Sequence, residues 1–172
     1  MSYYNPNSED ELEKFLAQKR VLFIPTKSEK GTKFHSDEAD RVVELLRTLH
    51  RIFGDDFDEE TVGVITPYRA QIAQIYQRLD ENLRKIITVD TVERYQGSER
   101  KIIILSMATN HAAQMRFLES LNAKQSVDKK LNVALSRAKE QLILLGNPVV
   151  LKTGKFYGKF LEWVEKEKEI IL

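Results

Sequence analysis

The sequence predicts an α/β domain, a mainly parallel sheet flanked by helices. Short apolar runs alternate with amphipathic stretches along the chain, the pattern of repeated strand–helix units. Three of the runs, "KIITV" (85–89), "KIIILS" (101–106) and "QLILLG" (141–146), are largely apolar without alternation. Strands read that way when both faces of their sheet are covered, the usual state of a parallel sheet.

The elements follow in chain order. Ser8 and Glu11 stand at capping-box spacing and open a short helix over "EDELEKFLAQK" (9–19). "VLFIP" (21–25) is a strand that Pro25 ends. The polar loop "TKSEKGTKFHS" (26–36) leads into "DEADRVVELLRTLHRIF" (37–53), where Val42, Leu45, Leu46 and Leu49 mark a helical stripe. Ser36 is the expected N-cap. Gly54 and the acidic loop "DDFDEE" (55–60) end that helix, and the charge run reads as a solvated connection. "VGVIT" (62–66) is a buried strand, with Pro67 at the first position of the next helix. Ile72, Ile75, Tyr76 and Leu79 supply that helix's core face. After the strands at 85–89 and 101–106 comes "LNVALSRAKE" (131–140), a short helix running into the strand 141–146. "FYGKFLEWVEKEKE" (156–169) closes the chain as a helix with Phe160, Trp163 and Val164 expected in the core. There is no internal repeat, low-complexity tract or linker.

Composition narrows the function classes. A chain of 172 residues fits one domain and buries about 70% of its unfolded surface. Lys+Arg 27 against Asp+Glu 26 gives a net charge of +1, which neither demands nor excludes nucleic acid, since a local groove outweighs the sum. Without cysteine, disulfides and thiolate metal sites are excluded. His35, His50 and His111 lack metal-ligand spacing and are expected to be structural or solvated. No apolar run approaches a membrane span, and "MSYYNPNSEDELEKFL" (1–16) lacks a signal-peptide layout. A cytoplasmic location, with no membrane partner, is expected.

The parts for binding and hydrolysing a nucleoside triphosphate are missing. A P-loop needs G-x-x-x-x-G-K-[ST]. Around Gly154-Lys155, Val149 stands where the first glycine belongs and Phe156 replaces the Ser/Thr. No acidic pair follows a strand in the manner of a magnesium site, and no nucleophile–histidine signature is present.

Three segments nevertheless occur in a telling order: "VGVITPYRAQ" (62–71), "TVERYQGSERKIIILS" (91–106) and "DKKLNVALSRAKEQLILLGNPVVL" (128–151). They closely resemble motifs IV, V and VI of superfamily 1 helicases, in the branch containing the nonsense-mediated-decay helicases and the Okazaki-fragment nuclease-helicases. A weaker match, "GTKFHSDEADRVV" (31–43), resembles the family's stretch around a Glu-Ala pair. The resemblance covers about residues 20 to 151. It implies the second, C-terminal RecA-like domain of an AAA-type helicase motor: a P-loop-NTPase fold without the P-loop. Residues 1–19 would be an N-terminal helical extension and residues 20–172 the RecA-like helicase domain 2.

The resemblance also implies roles. In the family the motif VI arginine reaches the γ-phosphate across an interdomain cleft, and the matching residue is Arg137. On a helical wheel Leu131, Ala134, Leu135 and Ala138 form the apolar face, and Arg137 falls on its flank beside Lys130. Read from the residue alone, Arg137 is a cation near a helix C-terminus, worth about 0.3–1 kcal/mol against the macrodipole. In "RYQGSER" (94–100), Gln96, Gly97 and Glu99 are implied nucleotide-binding residues, with Glu99 near the ribose and metal. The usual Glu-x-Asp is here Glu99-Arg100-Lys101, a charge reversal, and Glu93 and Tyr95 replace the common Asp and Phe. Thr66, Pro67, Tyr68 and Gln71, with Thr91 of motif V, are implied contacts to a single strand of DNA or RNA. Thr66 can cap the helix that Pro67 enters, at the carboxyl end of a strand.

The expected activity is that of an ATP-dependent DNA or RNA helicase. ATP and Mg2+ would be bound mainly by an N-terminal P-loop RecA-like domain of the same protein, and this chain alone would be inactive. A Gln-Tyr-Arg motif expected upstream of "VLFIP" is absent, so the chain is expected to be a fragment of a longer protein, with Met1 an artefact of the cut. The competing reading is a non-catalytic module, derived from a helicase domain, that binds nucleic acid or protein. Lys101 and the missing P-loop speak for that reading; Arg137 and Glu99 speak against it.

Overall fold

Five parallel strands form one sheet in the order β1-β5-β4-β2-β3, in a computed structural model that describes residues 1–5, 7–31, 33–95, 98–119 and 128–166. The strands are β1 (Val21–Pro25), β2 (Val62–Ile65), β3 (Thr88–Asp90), β4 (Arg100–Ser106) and β5 (Ala138–Gly146). The described helices are α1 (Glu11–Gln18), α2 (Ser36–Phe53), α3 (Arg69–Arg78), α4 (Glu81–Ile86), α5 (Ala112–Leu118), α6 (Lys129–Arg137), α7 (Pro148–Leu151) and α8 (Lys155–Lys166). This is the α/β, RecA-like architecture read from the sequence, and the β1–β2, β2–β3 and β4–β5 connections each carry at least one helix, whereas none of the described residues between β3 and β4 is helical.

The apolar runs divide their side chains between two cores. Leu22, Ile24, Val62, Val64, Ile102, Ile104, Ile143 and Leu145 face α1 to α4. Phe23, Ile103, Leu105, Leu142 and Leu144 face the α5 to α8 side, with Met115, Leu131, Leu151 and Leu161. The period of two is present inside "KIIILS", hidden because both faces are apolar.

Several boundaries differ from the sequence reading. "KIITV" was expected to be all strand, but Lys85 and Ile86 finish α4, Ile87 is its C-cap, and the strand is Thr88–Asp90. Asp80 caps α4 by accepting Leu83 N–H at 3.0 Å, and Leu83 anchors it in the core. Asp10, not Ser8, caps α1, while the Ser8 hydroxyl donates to Glu13. Ser36 is inside α2, and the cap is His35, whose Nδ1 accepts Glu38 N–H. Pro67 lies outside α3, whose N-cap is the extended Tyr68. Ala138 opens β5 instead of extending α6, because it pairs with Arg100 ahead of an irregularity in register. Trp163, expected in the core, is 45% exposed and Phe160 is half-buried; Tyr157, Leu161 and Val164 form the packed face of α8. Residues 167–169 of the expected helix lie outside the described residues. Helix α5 was not anticipated at all.

The described residues among the first nineteen pack against the sheet. Phe15, Leu16 and Tyr4 join the first core. The buried Gln141 side chain donates to Leu16 O (2.7 Å) and Lys19 O (2.8 Å) and accepts from the Tyr4 hydroxyl.

Gly63 makes room for Tyr95. A Cβ there would meet the Tyr95 hydroxyl oxygen at 2.6 Å and Arg100 Cγ at 2.9 Å. That hydroxyl donates to Thr88 O at 2.6 Å, so the tyrosine found where phenylalanine is common has a partner within the fold. Gly63→Ala is expected to destabilise the chain by about 1–3 kcal/mol, through overpacking in a filled core. Urea denaturation measures it, and an unchanged midpoint would show that the packing yields.

Candidate nucleotide and nucleic-acid faces

The implied site residues separate to opposite ends of the sheet. At the amino end, α6 runs directly into β5. Asp128 caps the helix by accepting Leu131 N–H at 2.8 Å, and buried Leu131 and Ala134 fix its inner face. Arg137 is its last residue, and Ala138 already pairs with Arg100. Arg137 and Glu99 therefore each stand one residue before a paired position, on adjacent strands. Arg137 Nε is shielded from solvent without a hydrogen-bond partner, and no carboxylate among the described residues lies within ion-pairing distance of the guanidinium. Its neighbours are engaged elsewhere: Lys130 pairs with Glu93 at 3.0 Å, and Arg100 lies over the Tyr95 ring at 5.7 Å. Glu99 is exposed; its carboxylate lies 3.9 Å from the Lys139 ammonium, a surface pair of little energetic weight, and its backbone carbonyl accepts from Arg100 at 2.9 Å. Gln96 and Gly97 lie outside the described residues.

Lys101, the reversed charge of motif V, has surroundings of its own. Its ammonium sits 5.6 Å from the centre of the Phe53 ring and lines a depression with Asp55, Asp56 and Asp58. The acidic loop that read as a solvated connection thus faces a lysine. Asp58 is held below the usual carboxylate range by the Thr61 hydroxyl, with a smaller contribution from Lys101.

At the carboxyl end, Thr66 is fully buried. Its N–H donates to Asp90 O at 3.1 Å, whereas its hydroxyl has no partner and does not cap α3. The Tyr68 cap position offers no side-chain bond either, so the first N–H groups of α3 lack a side-chain acceptor. Tyr68 is half-buried and accepts from Gln114 Nε2 at 3.1 Å; burial pushes its phenol pKa up. Pro67, Tyr68, Arg69 and Ala70 line a cleft of about 630 Å³ together with Lys33, Gln114 and Phe117. Thr91 follows β3, partly buried, and its N–H donates to Asp90 Oδ1 at 2.8 Å. Gln71 lies inside the fold: Oε1 accepts His35 N–H (2.8 Å), and Nε2 donates to His35 O and Ser106 Oγ (both 3.1 Å).

Gln71 belongs to a buried polar cluster centred on a residue to which the sequence assigned no role. Glu38, in the Glu-Ala stretch of α2, has no exposed surface. Oε1 accepts from the Thr26 hydroxyl (3.0 Å), and Oε2 from the Ser106 hydroxyl and Ala108 N–H (both 2.8 Å). Desolvation pushes the Glu38 pKa up, opposed by His35 and these three donors. The cluster ties the ends of β1 and β4 to the starts of α2 and α3. Ala108, just past β4, holds a positive φ of 48°, an uncommon conformation for a residue with a side chain.

Comparison with known proteins accords with this arrangement. Residues 7–149 match the family model described as an AAA domain. An ATP-dependent helicase of Methanocaldococcus jannaschii is 33% identical over 141 residues, covering 82% of this chain and 19% of that protein. The DNA polymerase alpha-associated DNA helicase A of Saccharomyces cerevisiae is 30% identical over 144 residues, covering 81% of this chain and 20% of that one. The RNA helicase Mov10l1 of Mus musculus is 33% identical over 130 residues, covering 76% and 11%. The chain thus spans no more than 20% of the length of these relatives. No described helix is long and apolar enough to cross a membrane. The chain belongs to the AAA domain family, as a RecA-like domain of helicase type with segments resembling motifs IV, V and VI of superfamily 1 in order.

Proposed function

We propose that the chain is the second motor domain of an ATP-dependent superfamily 1 helicase, working against a P-loop RecA-like domain of the same protein in the cytoplasm. The observation that carries this reading is Arg137, whose Nε has no hydrogen-bond partner among the described residues, at a helix–strand junction on the strand next to the exposed Glu99. ATP with Mg2+ would be held mainly by the partner domain. On this side Arg137 would face the terminal phosphate, and Glu99, flanked by Gln96 and Gly97, the ribose and metal. A fixed cation there stabilises charge that develops on the phosphoryl oxygens during transfer. At the other end, Thr66, Pro67, Tyr68 and Thr91, with the uncapped start of α3, would contact a single strand of DNA or RNA. Gln71 would support that surface from beneath.

The non-catalytic alternative leans on Lys101, and the acidic loop beside that lysine gives the reversal a local structural reason. The 172-residue chain by itself is expected to show negligible ATP hydrolysis, with or without single-stranded DNA or RNA. Turnover by the purified chain at about 1–100 per second, the range of kinases, would overturn the half-motor reading.

A further inference from the structure

Helix α5, absent from the sequence reading, carries the most exposed large apolar side chain among the described residues. Phe117 is 82% exposed, yet its helix is firmly seated: Met115 and Leu118 are buried in the second core. Gln114 fixes the start of the helix by accepting Asn110 N–H (2.7 Å) and His111 N–H (2.9 Å). The same side chain donates to the Tyr68 hydroxyl. Residues three apart on a helix share a face, so Phe117 projects on the side of α5 that Gln114 turns towards Tyr68. The two rings thus border one cleft of about 630 Å³, with Lys33, Pro67, Arg69 and Gln114.

The chemistry of the cleft is selective. No Asp or Glu lines it, and neither Lys33 nor Arg69 has an ion-pair partner among the described residues. An exposed ring between unpaired cations is poorly suited to an apolar peptide, which would leave both charges buried and unmet. It suits a polyanion whose units carry flat π faces, the combination used by proteins that hold single strands.

We propose that Phe117 and Tyr68 form a base-stacking slot for single-stranded nucleic acid, with Lys33 and Arg69 meeting the flanking phosphates. The slot rests on the single-strand reading of motif IV given above and adds to it a residue from outside the three motifs. Tyr68 is held by Gln114 and supplies the fixed wall; Phe117 supplies the open one.

The test is fluorescence anisotropy of the 172-residue chain with labelled oligo(dT) and oligo(U), each beside an abasic strand of equal length. Phe117→Ala is expected to weaken binding of the base-bearing strands about tenfold or more, with little effect on the abasic ones. Phe117→Trp is expected to keep the affinity. Lys33→Ala and Arg69→Ala should weaken both kinds of strand alike, each lowering the salt slope by about 0.7. If wild type binds and Phe117→Ala binds equally well, or loses as much on abasic strands, the slot is refuted while the single-strand reading stands. If wild type binds no oligonucleotide, both fall.

Discussion

Arg137→Ala, in the protein that also carries the P-loop domain, is expected to lower ATP turnover by roughly 10³–10⁵ while leaving most nucleotide affinity in place. The split follows from geometry: the partner domain would hold the ground-state phosphates, and Arg137 would act on charge that builds only in transfer. Arg137→Lys is expected to fail nearly as badly, because an ammonium lacks the planar fork of a guanidinium. A structural role predicts the opposite pattern. Arg137 Nε is shielded without a hydrogen-bond partner among the described residues, so its removal strands no acceptor of that atom and is expected to cost little stability. Single-turnover kinetics together with nucleotide titration make the measurement. Turnover within a few-fold of wild type would remove Arg137 from the reaction, and a parallel loss of folding would reduce it to a packing residue.

Glu38→Ala is expected to be the most destabilising single change, costing about 4 kcal/mol, since it strands two hydroxyls and a backbone N–H in the core and opens a cavity. Glu38→Gln separates charge from shape. The folded pKa of Glu38 is raised above the ordinary 4.5 by burial. Its favourable contribution is therefore fully present below pH 4.5 and is lost as pH rises through the folded value. The glutamine variant cannot titrate, so its stability relative to wild type should climb with pH over that window. Urea denaturation between acid and neutral pH reads both variants. A Glu38→Ala cost under about 1 kcal/mol, or a glutamine variant that tracks wild type at every pH, would show that the cluster contributes little.

The sequence was most informative where one physical constraint dominated. Strands β4 and β5 were evident because a sheet covered on both faces leaves no polar alternation to confuse with a helix. "KIITV" misled for the same reason: Ile86 and Ile87 are apolar in either state, and only the Asp80 cap decides that α4 continues through Ile86. Helix α5 escaped notice because its seven residues bury only two side chains, Met115 and Leu118. Its functional candidate, Phe117, is exposed and so leaves no periodic trace. Arg137 could be singled out because the role proposed for it is tied to a local motif. Glu38 could not, because "SDEADR" reads like any charged helix start and its burial depends on elements distant in the chain. Gln71 shows the converse: its place at a helix entry suggested contact with a ligand, but its amide is fully used within the fold.

The separation of the two faces sets a mechanical ratio. β4 spans seven residues between Arg100, next to Glu99, and Ser106, which is fastened to Glu38 and Gln71. Such a strand is about 20 Å long, so a tilt of about 10° at its amino end carries its carboxyl end through about 3.5 Å. Successive bases in one strand of a duplex are about 3.4 Å apart. The hydrogen bonds of Ser106 to Glu38 and Gln71 would couple such a tilt to α2 and α3. Under the proposed half-motor function, the sheet would be a lever arm whose length matches small rotations at a phosphate to single-base displacements along a strand.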